Sequence, residues 1–279
     1  VWFGSPHVPH QALEADRAPY AELPEKEQHF YGEITAMDRA FGRIRTELKD
    51  LDLDENTVLW YCSDNGALPK IGSSGGRRGA KGDVYEGGLM VPALLEWPAL
   101  FKSPQVITAP CVTSDIFPTV LAMAKVEPEK LHTLDGINLL PLLEGSEKKR
   151  SQPIGFWDNG IKGRKTPSLE WMNDLLGAQA KGEEPNDPER LFSDAGELGK
   201  AVPTNKFPGY SAWLDGNWKL HRVEDKKGQV DWELYDLNAD PAESRVLFAE
   251  QPERVPQMQA ALEDWLESVA QSLNGADYK

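Results

Sequence analysis

The sequence predicts an α/β domain followed by a small antiparallel α+β subdomain, and three features carry that prediction. A regular helical period over residues 30–48 leads through a short loop into a continuous apolar run, which is one half of an α/β unit. Late in the chain, Asp215-Gly216-Asn217 separates two strand-like runs and reads as a hairpin. An amphipathic stretch from Val255 to Val269 then closes the chain as a helix.

The elements follow in order. Val1-Trp2-Phe3-Gly4 reads as the tail of an apolar strand entering a loop, and with no initiator Met the chain is expected to be the later part of a longer protein. Residues 4–24 are polar and proline-rich and are expected to form a loop. Phe30, Ile34, Met37, Phe41, Ile44 and Leu48 recur every three or four positions, so one helix face is expected to be buried. After Asn56, Thr57 to Cys62 is apolar without alternation, as in a strand covered on both faces. Val91 to Trp97 reads as another strand. A helix is expected at about 114–125, capped by Ser114 and packed through Ile116, Val120, Leu121 and Met123.

Leu139 to Leu143 is a further apolar patch, and the charged run Glu147 to Arg150 marks the expected end of the first domain, residues 1–150. The remainder, 151–279, opens with a long loop or insertion at about 162–206 that holds a short helix near Leu169–Leu176. Strands are expected at Tyr210–Leu214, Trp218–Val223 and Trp232–Leu237, giving three strands and one helix.

Composition narrows the function classes. The chain has 279 residues, with 30 basic and 45 acidic residues and a net charge of −15. That balance repels phosphate backbones and argues against nucleic acid as a partner. No apolar run approaches the roughly 20 residues of a membrane span. Cys62 and Cys111 form neither a Cys-x-x-Cys pair nor a zinc spacing and read as two buried thiols.

Three segments carry candidate chemistry. Asp64 and Asn65 follow the first strand, at the carboxyl end where open α/β sheets bind ligands. A carboxylate beside a carboxamide offers the hard oxygens that Ca²⁺ or Mg²⁺ prefers, although Asp-Asn-Gly is also favourable turn chemistry. Residues 72–88 hold seven glycines with Arg77, Arg78 and Lys81, a pattern that suits either an anion cradle or a flexible surface loop. The Lys is not followed by Ser or Thr, so the segment is not a nucleotide P-loop. Pro6-His7-Val8-Pro9-His10 places two imidazoles in a stiff loop, suited to proton donation or to contact with an oxyanion.

Together these runs resemble the sulfatase family. Ser63-Asp64-Asn65-Gly66, Arg78-Gly79-Ala80-Lys81-Gly82 and Tyr85-Glu86-Gly87-Gly88-Leu89-Met90-Val91-Pro92 look like its central block, in its order and spacing, followed by Trp97-Pro98. Pro6-His7-Val8-Pro9 matches its histidine loop. Thr113 to Thr119 with Leu134-Asp135-Gly136 matches the helix and loop that follow. Trp218-Lys219-Leu220, Glu233 to Leu237 and Asp240-Pro241-Ala242-Glu243 match its C-terminal subdomain. Residues 158–207 are the least matched.

The resemblance implies an alkaline-phosphatase-like fold, a mixed sheet between helices with a smaller C-terminal sheet. It implies that Asp64 and Asn65 bind a divalent metal, Ca²⁺ in preference to Mg²⁺. Lys81 is implied to contact the sulfate and stabilise the leaving oxygen. His7 is implied as the histidine that binds the sulfate or assists the leaving group, with His10 the neighbouring alternative, and His10 and Arg78 as substrate contacts. The substrate implied is a sulfated small molecule or glycan, and the compartment is extracytoplasmic.

The departures are equally specific. The family's nucleophile is a formylglycine made within a Cys/Ser-x-Pro/Ala-x-Arg motif, and no such motif occurs here. Ser73-Ser74-Gly75-Gly76-Arg77 has the spacing, but Gly75 stands where Pro or Ala is required. Two aspartate metal ligands of the family are missing as well. Ca²⁺ takes roughly six to eight oxygens, whereas Asp64 and Asn65 supply about three at most. Residues 1–279 alone are therefore expected to bind metal weakly and to be inactive, with nucleophile and further carboxylates expected from an absent N-terminal segment. Rival readings are a phosphodiesterase or phosphonate hydrolase of the same superfamily, or a non-catalytic module that binds sulfated glycans. Six of nine tryptophans (Trp157, Trp171, Trp213, Trp218, Trp232 and Trp265) lie in the second half. Such rings can stack on sugars, but Trp213, Trp218 and Trp265 fall in patterned elements and read as core.

Overall fold

A computed structural model describes residues 1, 3–129, 131–158, 168–183, 202–225 and 227–278. The chain divides into two compact units, one drawn from Val1–Leu59, Leu95–Leu100 and Lys162–Glu197 and the other from Trp60–Leu94, Phe101–Ile161 and Leu198–Lys279.

The first unit is helical. Its main element is α2 (Glu25–Asp50), preceded by the short α1 (Glu14–Arg17) and a 3₁₀ turn at Ala18–Tyr20. Glu25 and Glu27 occupy the first turn of α2, where carboxylates meet the positive end of the helix dipole. The helix stops where Asp52 takes a left-handed φ of 55° and the Leu53 amide bonds back to Leu48 O at 2.9 Å. The expected apolar face is present but unevenly covered: Phe30 is buried, whereas Ile34, Met37, Phe41, Ile44 and Leu48 are half-buried. Arg45 grips Glu96 with two hydrogen bonds of 2.7 and 2.9 Å. The later helix α6 (Ser168–Gln179) covers the short helix expected near Leu169–Leu176; the rest of the expected insertion up to residue 201 lies mostly outside the described residues.

Residues 4–24 are not all loop, as α1 shows. That helix has no apolar period; side chains from α2 hold it instead. Arg39 takes both oxygens of buried Asp16, and Arg17 Nη1 lies 2.8 Å from His29 Nε2. Gly32 lets the segment pass close, because a Cβ there would lie 2.7 Å from Ala12 Cβ. Val1, Phe3 and Gly4 form no strand, and Trp2 lies outside the described residues.

The second unit is built on a four-stranded antiparallel sheet in the order β3 (Ile154–Asp158), β4 (Tyr210–Asp215), β5 (Trp218–Glu224), β6 (Val230–Asp236). The hairpin forms as expected: Asp215 pairs with Trp218, and Gly216 takes a φ of 59° at the first loop position. The sheet has four strands rather than three. β3 was not anticipated because it is short and carries Gly155, a weak strand residue. Its place is set by packing: a Cβ at Gly155 would lie 2.4 Å from the Trp265 indole.

Strand alternation gives this sheet two different faces. Leu220 and Leu234 stand opposite each other and pack against Val255 and Met258 of α7 (Arg254–Leu273), with Trp213, Trp218, Trp232 and Phe248 around them. Val255, Met258, Leu262, Leu266 and Ala270 are all buried, so α7 lies down as its sequence pattern implies. Each fully buried aliphatic side chain of this kind contributes roughly 1.5–3 kcal/mol. The odd face carries Lys219, His221, Glu233 and Tyr235, and it too is covered: Lys219, His221 and Tyr235 are fully buried.

In the same unit, Trp60–Cys62 of β1 (Leu59–Cys62) and Ala93–Leu94 of β2 (Ala93–Glu96) belong to a two-stranded sheet. Between them lies α3 (Glu86–Leu89). β1 is half-buried throughout rather than fully enclosed. α4 (Ile116–Ala124) begins after a 3₁₀ turn at Thr113–Asp115. Ser114 does not cap it, since the cap residue of α4 is Asp115. The Asp115 carboxylate, fully buried, accepts from the amides of Val112 and Ile137 and from both terminal nitrogens of Arg150, at 2.6–2.8 Å. Four donors on one carboxylate outcompete a serine hydroxyl for this turn. Val120 is exposed, while Ile116, Leu121 and Met123 are half-buried. α5 (Leu140–Leu143) supplies Leu142 to a small core with Ile137 and Leu139. Neither thiol is buried: Cys62 is half-buried and Cys111 exposed.

Candidate functional site

Where β1 ends, the chain turns through Ser63-Asp64-Asn65-Gly66, with the Ser63 hydroxyl donating to Asn65 O at 3.2 Å. This turn is stitched by backbone to the glycine-rich segment. The Gly66 amide donates to Gly88 O at 2.8 Å, and the Lys81 amide donates to Ala67 O at 2.9 Å. The Gly87 amide donates to Arg78 O at 2.7 Å, closing the segment on itself.

Three glycines make that approach possible. A Cβ on Gly66 would lie 2.1 Å from Gly87 O, one on Gly87 would lie 2.2 Å from Gly79 O, and one on Gly88 would lie 2.2 Å from Asp83 O. No side chain fits at any of the three, so the glycines are there for contact between backbones rather than for looseness. Gly79 and Gly82, with φ of 81° and 98°, turn the chain on either side of Lys81. Asp83 braces that turn, accepting from the Ala80 amide and donating to Ala80 O, each at 2.9 Å.

Lys81 therefore sits at a braced tip, exposed, and its ammonium has no hydrogen bond or ion pair among the described residues. Asp64 is exposed too, and its carboxylate is met by the Asn65 carboxamide. The two residues are thus in contact, and both carry oxygens suited to a hard cation. Among the described residues no group of three or more His, Cys, Asp or Glu side chains could hold a metal ion.

Arg78 is differently placed. Its Nη1 donates to Tyr235 Oη at 2.7 Å, and its guanidinium lies 3.9 Å above the Tyr85 ring. His7 and His10 belong to the other unit. His7 Nδ1 lies 2.9 Å from Val8 O. The His10 side chain is buried against the Phe30 ring, its Nδ1 3.4 Å from Glu33 Oε2, and its Nε2 has no hydrogen-bond partner among the described residues.

Sequence reasoning gave no role to the group beneath the Lys81 segment. Lys219 Nζ donates to Glu86 Oε1 at 2.7 Å and lies 3.2 Å from Glu243 Oε1. His221 Nε2 meets Glu243 Oε1 at 2.7 Å, and the Glu86 amide donates to Glu243 Oε2 at 2.6 Å. Tyr85 and Tyr235 both donate to Glu233 Oε2 at 2.7 Å, and Tyr85 stacks on His221 with ring centroids 4.6 Å apart. Burial pushes the Glu243 carboxyl up, but the hydrogen bond from His221, the charge of Lys219 and the Glu86 amide outweigh it and hold it below its ordinary value. Burial dominates at His221 and pushes it down. Burial and then the Glu233 carboxylate push both phenols up. One sequence signal for this group exists: Lys219 and His221 alternate with large apolar residues in a strand.

Comparisons with known proteins show what the chain is similar to. The family described as Sulfatase matches residues 1–126. Human steryl-sulfatase is 36% identical over 142 residues, which is 47% of this chain and 24% of that protein. Human N-acetylgalactosamine-6-sulfatase is 36% identical over 157 residues, 52% of this chain and 30% of that protein. The chain thus spans under a third of the curated relatives it matches. The crystal structure of Ps i-CgsB in complex with k-i-k-neocarrahexaose superposes with a TM-score of 0.64 over 97% of this chain and 53% of that one, at 22% identity. The fold is accordingly alkaline-phosphatase-like, with the antiparallel sheet and α7 as its C-terminal part.

Proposed function

We propose that this chain, whose residues 1–126 match the sulfatase family, is part of an enzyme of that family that hydrolyses sulfate esters, with a sulfated carbohydrate as substrate. One observation carries the reading: the backbone interlock that holds the Asp64-Asn65 turn beside the segment of Lys81. An exposed ammonium on a braced turn is suited to an anionic oxygen, and fixed charge of this kind acts where negative charge builds as the leaving oxygen departs. Asp64 and Asn65 would hold the divalent metal, Ca²⁺ in preference to Mg²⁺, whose chemistry when bound is to polarise the sulfate oxygens. His7 is assigned to proton donation toward the leaving group and His10 to the substrate.

The carbohydrate assignment draws on the N-acetylgalactosamine-6-sulfatase relative and on the neocarrahexaose complex. No Cys/Ser-x-Pro/Ala-x-Arg run occurs in the sequence, so this reading places the nucleophile, a formylglycine, outside residues 1–279. It keeps residues 1–150 as the catalytic portion and 151–279 as the C-terminal subdomain. Among the described residues no helix is long and apolar enough to cross a membrane. The compartment proposed is extracytoplasmic.

Binding of inorganic sulfate in the presence of Ca²⁺, followed by calorimetry, tests the reading. Weak binding is expected, reduced about tenfold or more by Lys81→Ala and by Asp64→Ala. No turnover of 4-nitrophenyl sulfate is expected from residues 1–279. Indifference of sulfate binding to both substitutions would overturn the site assignment. Ordinary turnover would overturn the placement of the nucleophile, and a preference for bis(4-nitrophenyl) phosphate would point to a phosphodiesterase.

A further inference from the structure

We propose that the buried polar face of the C-terminal sheet positions the Lys81 segment, with Glu243 as the central positioning residue. The inference rests on the reading of Lys81 as an anion contact. Its basis is the distribution of contacts along residues 78–86. Arg78, three residues before Lys81, donates to Tyr235 Oη at 2.7 Å and comes within 3.4 Å of Glu233 Oε2 and of Glu243 O. Tyr85, four residues after Lys81, donates to Glu233 and stacks on His221. Glu86 gives its amide to Glu243 and its carboxylate to Lys219. Both roots of the turn are clamped to one sheet face, while the Lys81 ammonium between them has no partner among the described residues.

The chemistry of the clamp argues for positioning over bulk stability. Lys219, His221 and Glu243 are fully buried. Taking such charges out of water carries a desolvation cost, and apolar residues of the same size often serve stability as well or better. What a polar face adds is direction. Each hydrogen bond fixes one atom of the segment, whereas an apolar face would allow it to slide. Glu243 is the hub, since one oxygen meets His221 and Lys219 and the other takes the Glu86 amide. As a neutral imidazole, His221 donates from Nε2 to Glu243, and its buried Nδ1 has no hydrogen-bond partner among the described residues. The ring is thus held by Glu243, by the Tyr85 stack and by an edge contact with Tyr235, its ring centroid 5.6 Å away.

Amide hydrogen exchange on residues 1–279 tests the clamp. In Glu243→Gln the Lys81 and Gly66 amides are expected to exchange at least about tenfold faster, with the Leu262 amide of α7 unchanged. Unchanged Lys81 and Gly66 amides, or equal acceleration at Leu262, would overturn the proposal. Tyr235→Phe, which removes the acceptor of Arg78 and a donor to Glu233 while keeping the ring, should give the same pattern more weakly and serves if Glu243→Gln does not fold. A second readout is protection of Lys81 by inorganic sulfate against acetic anhydride. Where sulfate protects the parent chain, Glu243→Gln is expected to weaken that protection several-fold, and undiminished protection counts against positioning. If sulfate does not protect the parent chain, the anion reading of Lys81 fails, and exchange alone decides the clamp.

Discussion

The Glu86 amide and the Glu243 carboxylate meet at 2.6 Å although 157 residues separate them in sequence. Lys219 lies against both carboxylates, 2.7 Å from Glu86 and 3.2 Å from Glu243. A strand of the late sheet, a turn after it and a short helix at Glu86–Leu89 therefore share one buried charge cluster. Its members depend on one another, because removing any one strands the charge of the rest.

Lys219→Met tests that dependence. It leaves two carboxylates buried without their shared cation, and the expected cost is about 3–5 kcal/mol of unfolding free energy. Urea denaturation followed by tryptophan fluorescence measures it. A loss under about 1 kcal/mol would mean that water already reaches the cluster.

Acid should weaken the fold in two steps. His221 is held below its ordinary 6.5 and Glu243 below its ordinary 4.5, so in each case the unfolded chain takes up a proton before the folded one does. The His221 contribution is complete above pH 6.5 and shrinks as the pH falls below it; the Glu243 contribution is complete above pH 4.5 and shrinks below that. Each group adds a slope of at most about 1.4 kcal/mol per pH unit. Thermal melts at pH 7.5, 6 and 4.5 should show a falling midpoint, with the first part of the fall absent in His221→Gln.

Gly66→Ala should displace the Asp64 turn. The added methyl would stand 2.1 Å from Gly87 O, a backbone atom that cannot swing aside. Sulfate binding should fall as far as it does in Lys81→Ala, and the Lys81 amide should lose exchange protection. Substitution of Gly42, whose Cβ would meet nothing within 4 Å, should change neither.

Asp115→Asn should cost about 3–5 kcal/mol, because the buried Arg150 loses its countercharge and the two amide donors lose a carboxylate acceptor. The measurement is a denaturation midpoint. Arg150→Met alone should cost a similar amount, and the double substitution much less than the sum, since the two side chains form one interaction.

Much of the fold could be read directly from local patterning. The period of α2, the Asp215-Gly216-Asn217 turn and the stripe of α7 are signals that local backbone preference and one-sided burial write into adjacent residues. The elements that escaped have no such signal. α1 exists because Arg39 reaches Asp16, and β3 because Gly155 admits the Trp265 ring. Neither partner is a sequence neighbour.

The candidate site divides along the same line. Its chemistry is encoded locally: an acid-amide pair at a strand end and a lysine among glycines. What the residues alone did not disclose is the face beneath. Lys219 and His221 alternate with apolar residues, as on any strand with one wet side, and only the folded chain covers that side with Arg78, Tyr85 and Glu86. Periodicity reports which residues share a face. Whether water or another segment covers it depends on contacts between residues more than a hundred positions apart, and those are fixed only when the chain closes on itself.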